Sequence, residues 1–282
     1  MIKMIVTDID GTLINDNGII TDTTKNALIK AQKNGIRLVL ATGRSPLFCK
    51  KEQDLLHMSE FSSNYIIAFN GQEIYSFSSN TSVYGKQIPA SHVNALLKLA
   101  YDYDLEAVCY SHNAKYHYQP PDFLIKKETY LKKHPDLPAK DFESVQGISI
   151  PISAWNQPFT HDISKTAFLH SSLRLQEILP RIKEKIPTGL QAHLVKPTWL
   201  EVYPKEVSKG GALLHIMKKE GIEKDEVLAF GDGENDLSLL TSVTYGFAMG
   251  NAFSTVKEAA YGVTASNNDD GIAQITEDFC FL

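Results

Sequence analysis

The 282-residue sequence contains only three cysteines, Cys49, Cys109 and Cys280, far apart and with no CxxC pair. That spacing excludes a disulfide framework and a cysteine-rich zinc site, and it fits a reducing compartment. No run approaches the ~20 apolar residues of a membrane span. The chain reaches Asp8 too soon for a signal peptide. A soluble cytoplasmic protein is therefore expected. A monomer is expected as well, since no long apolar stripe is left once the core is assigned. Positive charge is also in short supply. Lys and Arg number 28 against 33 Asp and Glu, for a net charge of −5. This argues against a general nucleic-acid-binding face, and leaves room for a small anionic ligand held by local donors. Internal repeats and low-complexity tracts are absent.

What remains is ordinary globular composition, 43% hydrophobic and 22% charged. A chain of this length buries roughly three quarters of its unfolded surface and divides into one large domain or two smaller ones. The first hundred residues alternate strand and helix. Residues 4–8 read as a strand, and Thr21, Asp22 and Thr23 cap a helix with Ala27, Leu28 and Ala31 on its apolar face and Gly35 at its end. Residues 36–41 are a buried strand, 46–57 a helix and 65–69 a third strand. Asn70-Gly71 then signals a hairpin, with a small antiparallel flap through Tyr84. The last ninety residues repeat the alternation: a helix at 209–220, strands at 227–230, 245–248 and 262–264, and helices at 237–242 and 252–260. Together these imply an α/β core with a Rossmann-like, doubly wound parallel sheet.

The middle of the chain differs. Seven of the twelve tyrosines lie between Tyr84 and Tyr130. A helix is expected at 92–103, and Leu175, Ile178, Leu179, Ile182 and Ile186 outline another. Pro180 should kink or break it. Strand-like runs lie at 106–110, 115–118, 165–170 and 190–195. This is an inserted α+β domain, expected at 84–192, with the core made of 1–83 and 193–282.

The first motif is DIDGTL, residues 8–13. Residues two apart in a strand point the same way, so Asp8 and Asp10 can converge at the strand's C-terminal end, where open α/β sheets bind ligands. Gly11 lets the chain turn away. Taken alone, the pair is equally well an acidic strand end facing water. Three more segments reach the same edge: ATGR (41–44), Lys209 at a helix start, and GDGEND (231–236), which brings Asp232, Asn235 and Asp236. Asp8, Asp10, Asp232 and Asp236 would repel one another, and a hard divalent cation resolves this. The Thr42 hydroxyl, the Gly43 N–H, Lys209 and Asn235 oppose them as a phosphate-binding set.

DIDGTL, ATGR, SKG (208–210) and GDGENDLSLL (231–240) resemble the four motifs of the haloacid dehalogenase superfamily. In detail they are similar to its Cof-type phosphatases, which carry a large cap between the second and third motifs. The resemblance implies a Mg²⁺-dependent phosphatase acting on small phosphorylated metabolites. It implies that Asp8 is the nucleophile, forming an aspartyl-phosphate, and that Asp10 is the general acid and then base. Asp8 and Asp232 would bind Mg²⁺ by side chain and Asp10 by its backbone carbonyl, with Asp236 binding directly or through water. Ile9 N–H, Thr42, Gly43, Lys209 and Asn235 would hold the phosphoryl group.

Other readings stand beside this one. A phosphotransferase or phosphomutase would use the same aspartyl-phosphate. A receiver module also clusters acids, a threonine and a lysine, but is much shorter. A non-catalytic metabolite-binding regulator would have no need of Asp8, Asp10 and Lys209, all of which are present. Among single residues, Arg44 reads either as a structural ion-pair donor or as a substrate contact, and Glu234 is expected to face solvent. Tyr110, His112, Tyr116, His117 and Tyr118 either contact a leaving group or form a surface or core cluster of the insert. Residues 159–162 could form a loop near the site.

Overall fold

The computed structural model describes residues 1–111, 114–137 and 149–281. The chain runs β1 (Met4–Thr7), α1 (Asp22–Lys33), β2 (Arg37–Ala41), α2 (Lys50–Leu55), β3 (Tyr65–Ala68), β4 (Glu73–Ser76) and β5 (Thr81–Tyr84). The insert follows with α3 (Ala90–Asp102), β6 (Glu106–Tyr110), β7 (Lys115–Tyr118), α4 (Phe123–Lys132), β8 (Ile150–Ile152), β9 (Lys165–Leu169), α5 (Ser172–Lys185), β10 (Leu190–Lys196) and β11 (Trp199–Pro204). The chain then returns through α6 (Lys209–Glu220), β12 (Val227–Gly231), α7 (Leu237–Thr241), β13 (Tyr245–Ala248), α8 (Ser254–Ala259), β14 (Gly262–Val263) and α9 (Gly271–Cys280).

The first unit, residues 1–85 and 207–282, is built on one sheet in the order β14-β13-β12-β1-β2-β3-β4-β5. Its first six strands are parallel, and β4 and β5 extend it as an antiparallel meander. All four residues of β1 are buried, as expected for a central strand of a parallel sheet covered on both faces. Met4 and Val6 point to one face and pack with Val39, Ile67, Leu213, Ile216, Leu239 and Val256. On the other side α1 packs against β2 and α9. Strand order reverses between β1 and β12, so the crevice for a ligand lies beyond their carboxyl ends. Asp8 directly follows β1 and Asp232 directly follows β12.

The second unit, residues 86–206, has its own six-stranded sheet in the order β10-β11-β9-β6-β7-β8. Leu96, Ala100, Leu175, Ile178 and Ile182 share a core with Ala107, Phe168, Leu200 and Val202 of the sheet. The second boundary falls after Glu206 rather than after Ala192. The run at 190–195 belongs to the insert because β10 pairs with β11, and β11 pairs in turn with β9. The α5 helix continues through Pro180. The segment 46–57 is not one helix: it is a short 3₁₀ turn at Pro46–Cys49 followed by α2. No helix among the described residues is long and apolar enough to cross a membrane.

Candidate active site

Each polar group at the edge is delivered by the end of a regular element of the first unit. Asp8 leaves β1 with its N–H on the Phe230 carbonyl, 3.1 Å away, which locks it beside β12. The chain then turns over Ile9, whose carbonyl accepts the N–H groups of Leu13 and Ile14. Gly11 has φ +82°, and a Cβ there would lie 2.5 Å from Asp232 Oδ2. Only glycine permits both that backbone and that approach.

Lys209 opens α6, and Ser208 caps this helix by accepting the Gly211 N–H at 3.0 Å. Lys209, Leu213 and Ile216 lie on the helix's buried face, so the ammonium is sent into the protein instead of into water. Gly210 makes this possible: a Cβ there would stand 2.0 Å from the Ser238 carbonyl oxygen. We expect Gly210→Ala to lower stability by about 1–3 kcal/mol, the cost of overpacking outweighing the gain in helix propensity. A denaturant titration checks this, and a variant as stable as wild type would show that α6 and α7 can separate freely.

The Lys209 side chain is 0% exposed and forms two ion pairs, to Asp8 Oδ1 and to Asp236 Oδ1, each 2.6 Å long. Asp236 Oδ2 accepts the N–H groups of Asp232 at 3.1 Å and Gly233 at 3.0 Å. Asp232 Oδ1 accepts the Thr12 hydroxyl at 2.6 Å. Asp8, Asp232 and Asp236 each offer a carboxylate oxygen, all within 4.8 Å of one another.

Burial raises the Asp8 carboxyl well above the ordinary range. Lys209 pulls it down, while Asp236, Asp232 and Asp10 push it further up. Asp232 is pushed up to about 6 by burial and by Asp236, against Thr12 and Lys209. Burial alone would lower Lys209, but Asp236 and Asp8 hold it above its usual value. One lysine thus leaves an excess of negative charge at the edge. The donors present are hard oxygens, and Asp8 Oδ2 and Asp232 Oδ2 lie outside the hydrogen bonds just described. A small divalent cation with oxygen preference fits this set.

The remaining expected residues surround the cluster. The Thr42 N–H is held by the Ile67 carbonyl at 2.7 Å, and its hydroxyl oxygen accepts the Arg44 N–H at 3.1 Å. Its own hydroxyl proton remains to be donated. Gly43 follows it, half-buried. Asn235 donates to Asn70 Oδ1 at 3.1 Å. The Asp10 side chain is not in the three-carboxylate set; it is gripped by Arg44 at both oxygens. Glu234 is half-buried rather than fully exposed.

Sequence reading passed over Thr12 and Asn70. Thr12 lies inside DIDGTL and could have been found there. Asn70 was concealed by its hairpin signal, whereas Phe69 and Asn70 adopt left-handed φ values of 48° and 58° and so bring Asn70 to Asn235. In the insert, Tyr118 is buried in the unit's own core with Tyr116 packed on it, and His117 pairs with Glu106 at 2.7 Å. Those three serve the insert's structure. His112 lies outside the described residues.

The model of the haloacid dehalogenase-like hydrolase family matches residues 5–275. YxeH of Bacillus subtilis is 30% identical over 279 residues, covering 97% of this chain and 96% of its own length. The 5-amino-6-(5-phospho-D-ribitylamino)uracil phosphatase YcsE of the same organism is 27% identical over 273 residues, covering 97% and 94%. A crystal structure of a haloacid dehalogenase-like hydrolase from Bacteroides thetaiotaomicron superposes with a TM-score of 0.75 at 30% identity, covering 99% of both chains.

Proposed function

The chain belongs to the haloacid dehalogenase-like hydrolases and is a phosphatase, and from that premise we propose that it hydrolyses small phosphate monoesters through an aspartyl-phosphate on Asp8. The observation that carries this reading is the buried Lys209 bridge between Asp8 and Asp236. It holds one oxygen of Asp8 and leaves the other to attack. It also puts a fixed cation beside the phosphoryl oxygens, where charge spreads as the bond to the leaving group breaks.

On this reading Asp8 forms a bond to phosphorus as the ester P–O bond breaks. Asp10 gives its proton to the departing alkoxide and then takes one from the water that hydrolyses the acyl phosphate. Thr42, Gly43, Asn235 and the Ile9 N–H hold the phosphoryl oxygens, with Asn70 keeping Asn235 in place. Mg²⁺, when bound by Asp8, Asp232, the Asp10 carbonyl and the supporting Asp236, supplies charge neutralisation for the two anions that must meet. The inserted unit serves as the cap that selects the leaving group.

The substrate is a small phosphorylated metabolite and not a nucleic acid. YcsE is named for a substrate phosphorylated on a ribityl chain, which supports a phosphorylated polyol or sugar as the class. The test is phosphate release from sugar phosphates, nucleotides, pyridoxal phosphate and flavin mononucleotide, with Mg²⁺ and with EDTA. We expect release that requires Mg²⁺ and is fastest on a sugar or polyol phosphate. Transfer of the phosphoryl group to an added sugar instead of to water would make the chain a phosphotransferase. No turnover of either kind would overturn the reading.

A further inference from the structure

Asp10 and Arg44 come from the ends of neighbouring strands, and their side chains meet as a fork. Arg44 Nε donates to Asp10 Oδ2 at 2.8 Å and Nη2 donates to Asp10 Oδ1 at 2.7 Å. The third nitrogen faces the other way: Nη1 donates to Glu52 Oε1 at 3.1 Å and to the Phe48 carbonyl at 3.3 Å. The Glu52 side chain is 7% exposed, on a helix directly behind the loop. The guanidinium is therefore fixed from both sides. Burial would lower its pKa, but Asp10 and Glu52 together hold it above its usual value.

A planar, two-bond grip sets the plane and the rotamer of a carboxylate as a single ammonium cannot. Asp10 needs that constraint. It sits on a tight turn, between a buried strand and a glycine with positive φ. We infer that Arg44 is a positioning residue for Asp10, aiming its carboxyl group at the leaving oxygen, and that Glu52 anchors Arg44. This rests on the reading of Asp10 as the group that protonates the leaving alcohol.

Leaving-group chemistry separates this role from its rivals. An alkyl alcohol departs only when it gains a proton, whereas p-nitrophenolate departs without one. The phosphoryl group is the same in both esters. Arg44 acting on the phosphoryl group, or serving only the fold, would affect both substrates alike. Arg44 acting through Asp10 affects the alkyl ester far more. Because kcat/KM reports only through the first irreversible step, the later water attack does not blur the comparison.

The experiment measures kcat/KM with Mg²⁺ for glycerol phosphate and p-nitrophenyl phosphate. The proteins are wild type, Arg44→Met, Arg44→Ala, Arg44→Lys, Glu52→Gln and Asp10→Asn, each checked by thermal melting. We expect Arg44→Met to lose about 10²-fold more on the alkyl ester than on the aryl ester, the range that a positioned general acid supplies. Arg44→Lys and Glu52→Gln should show the same bias, smaller. Added guanidinium should restore alkyl ester turnover in Arg44→Ala. If Arg44→Met does not fold, the bias in Arg44→Lys and Glu52→Gln decides. Equal losses on both esters in the Arg44 and Glu52 variants, with the bias present in Asp10→Asn, would overturn the positioning role alone. Absence of the bias in Asp10→Asn would overturn the reading of Asp10, and the inference with it.

Discussion

Asp8→Asn is expected to abolish phosphate release while leaving the protein folded. The amide has the shape of the carboxylate, and its oxygen still accepts the Lys209 ammonium. It cannot attack phosphorus as an anion. We expect kcat to fall by about 10⁴-fold or more, the scale that follows removal of a nucleophile. Stability moves in the other direction. The Asp8 charge is opposed by burial and by Asp236, Asp232 and Asp10, so replacing it relieves repulsion. In EDTA the Tm of Asp8→Asn should equal or exceed that of wild type, whereas the rise in Tm on adding Mg²⁺ should shrink, because a proposed ligand has lost its charge. Melting curves with and without Mg²⁺, beside a phosphate assay, test both halves. Turnover that survived the substitution would remove Asp8 from the chemistry, whatever the geometry around it.

The legible part of this site is the part written in short-range pattern. Asp8 and Asp10 are two residues apart at the end of an apolar run, and the alternation of strand and helix on both sides of the insert implies parallel strands that end at one edge. Three of the four segments meet there in one cluster, Asp8, Lys209, Asp232 and Asp236, and the fourth, ATGR, reaches DIDGTL through Arg44 on Asp10. What was not legible depends on partners distant in sequence. Arg44 reads equally well as a substrate contact or as a structural donor, because nothing in ATGR says that its guanidinium turns to Asp10. The strand at Trp199–Pro204 was passed over, although Leu200 and Val202 alternate with Glu201 and Tyr203. Its place is set by pairing with β9 and β10, and that pairing moved the boundary of the insert. The α4 helix was missed for a different reason: its buried stripe is Phe123, Lys127 and Leu131, and a lysine in the middle breaks the apolar signal.

Lys209 is the residue whose loss should be felt by fold and chemistry together, and its pH dependence distinguishes charge from packing. Lys209→Met fills similar space but leaves Asp8 and Asp236 facing each other without their shared cation. Breaking a buried ion pair by removing one member costs about 3–5 kcal/mol. Turnover should disappear as well, since among the described residues no other cationic side chain contacts Asp8 in its place. The sign with pH follows from proton counting. In wild type the pKa of Lys209 is raised on folding, so its contribution is complete below the unfolded lysine value of about 10.4 and is constant across neutral pH. In Lys209→Met the Asp8 carboxyl loses the group that held it down, and its folded pKa rises further above the unfolded value of about 3.9. The folded variant then binds more protons than the unfolded chain. Its stability must fall as pH rises from about 4 through the raised value of Asp8. Urea unfolding in EDTA should therefore show the smallest gap from wild type in mild acid and the largest at neutral pH. A gap independent of pH would mean that Lys209 supports the fold by filling space, and that the carboxylates around it are neutralised by something other than its charge.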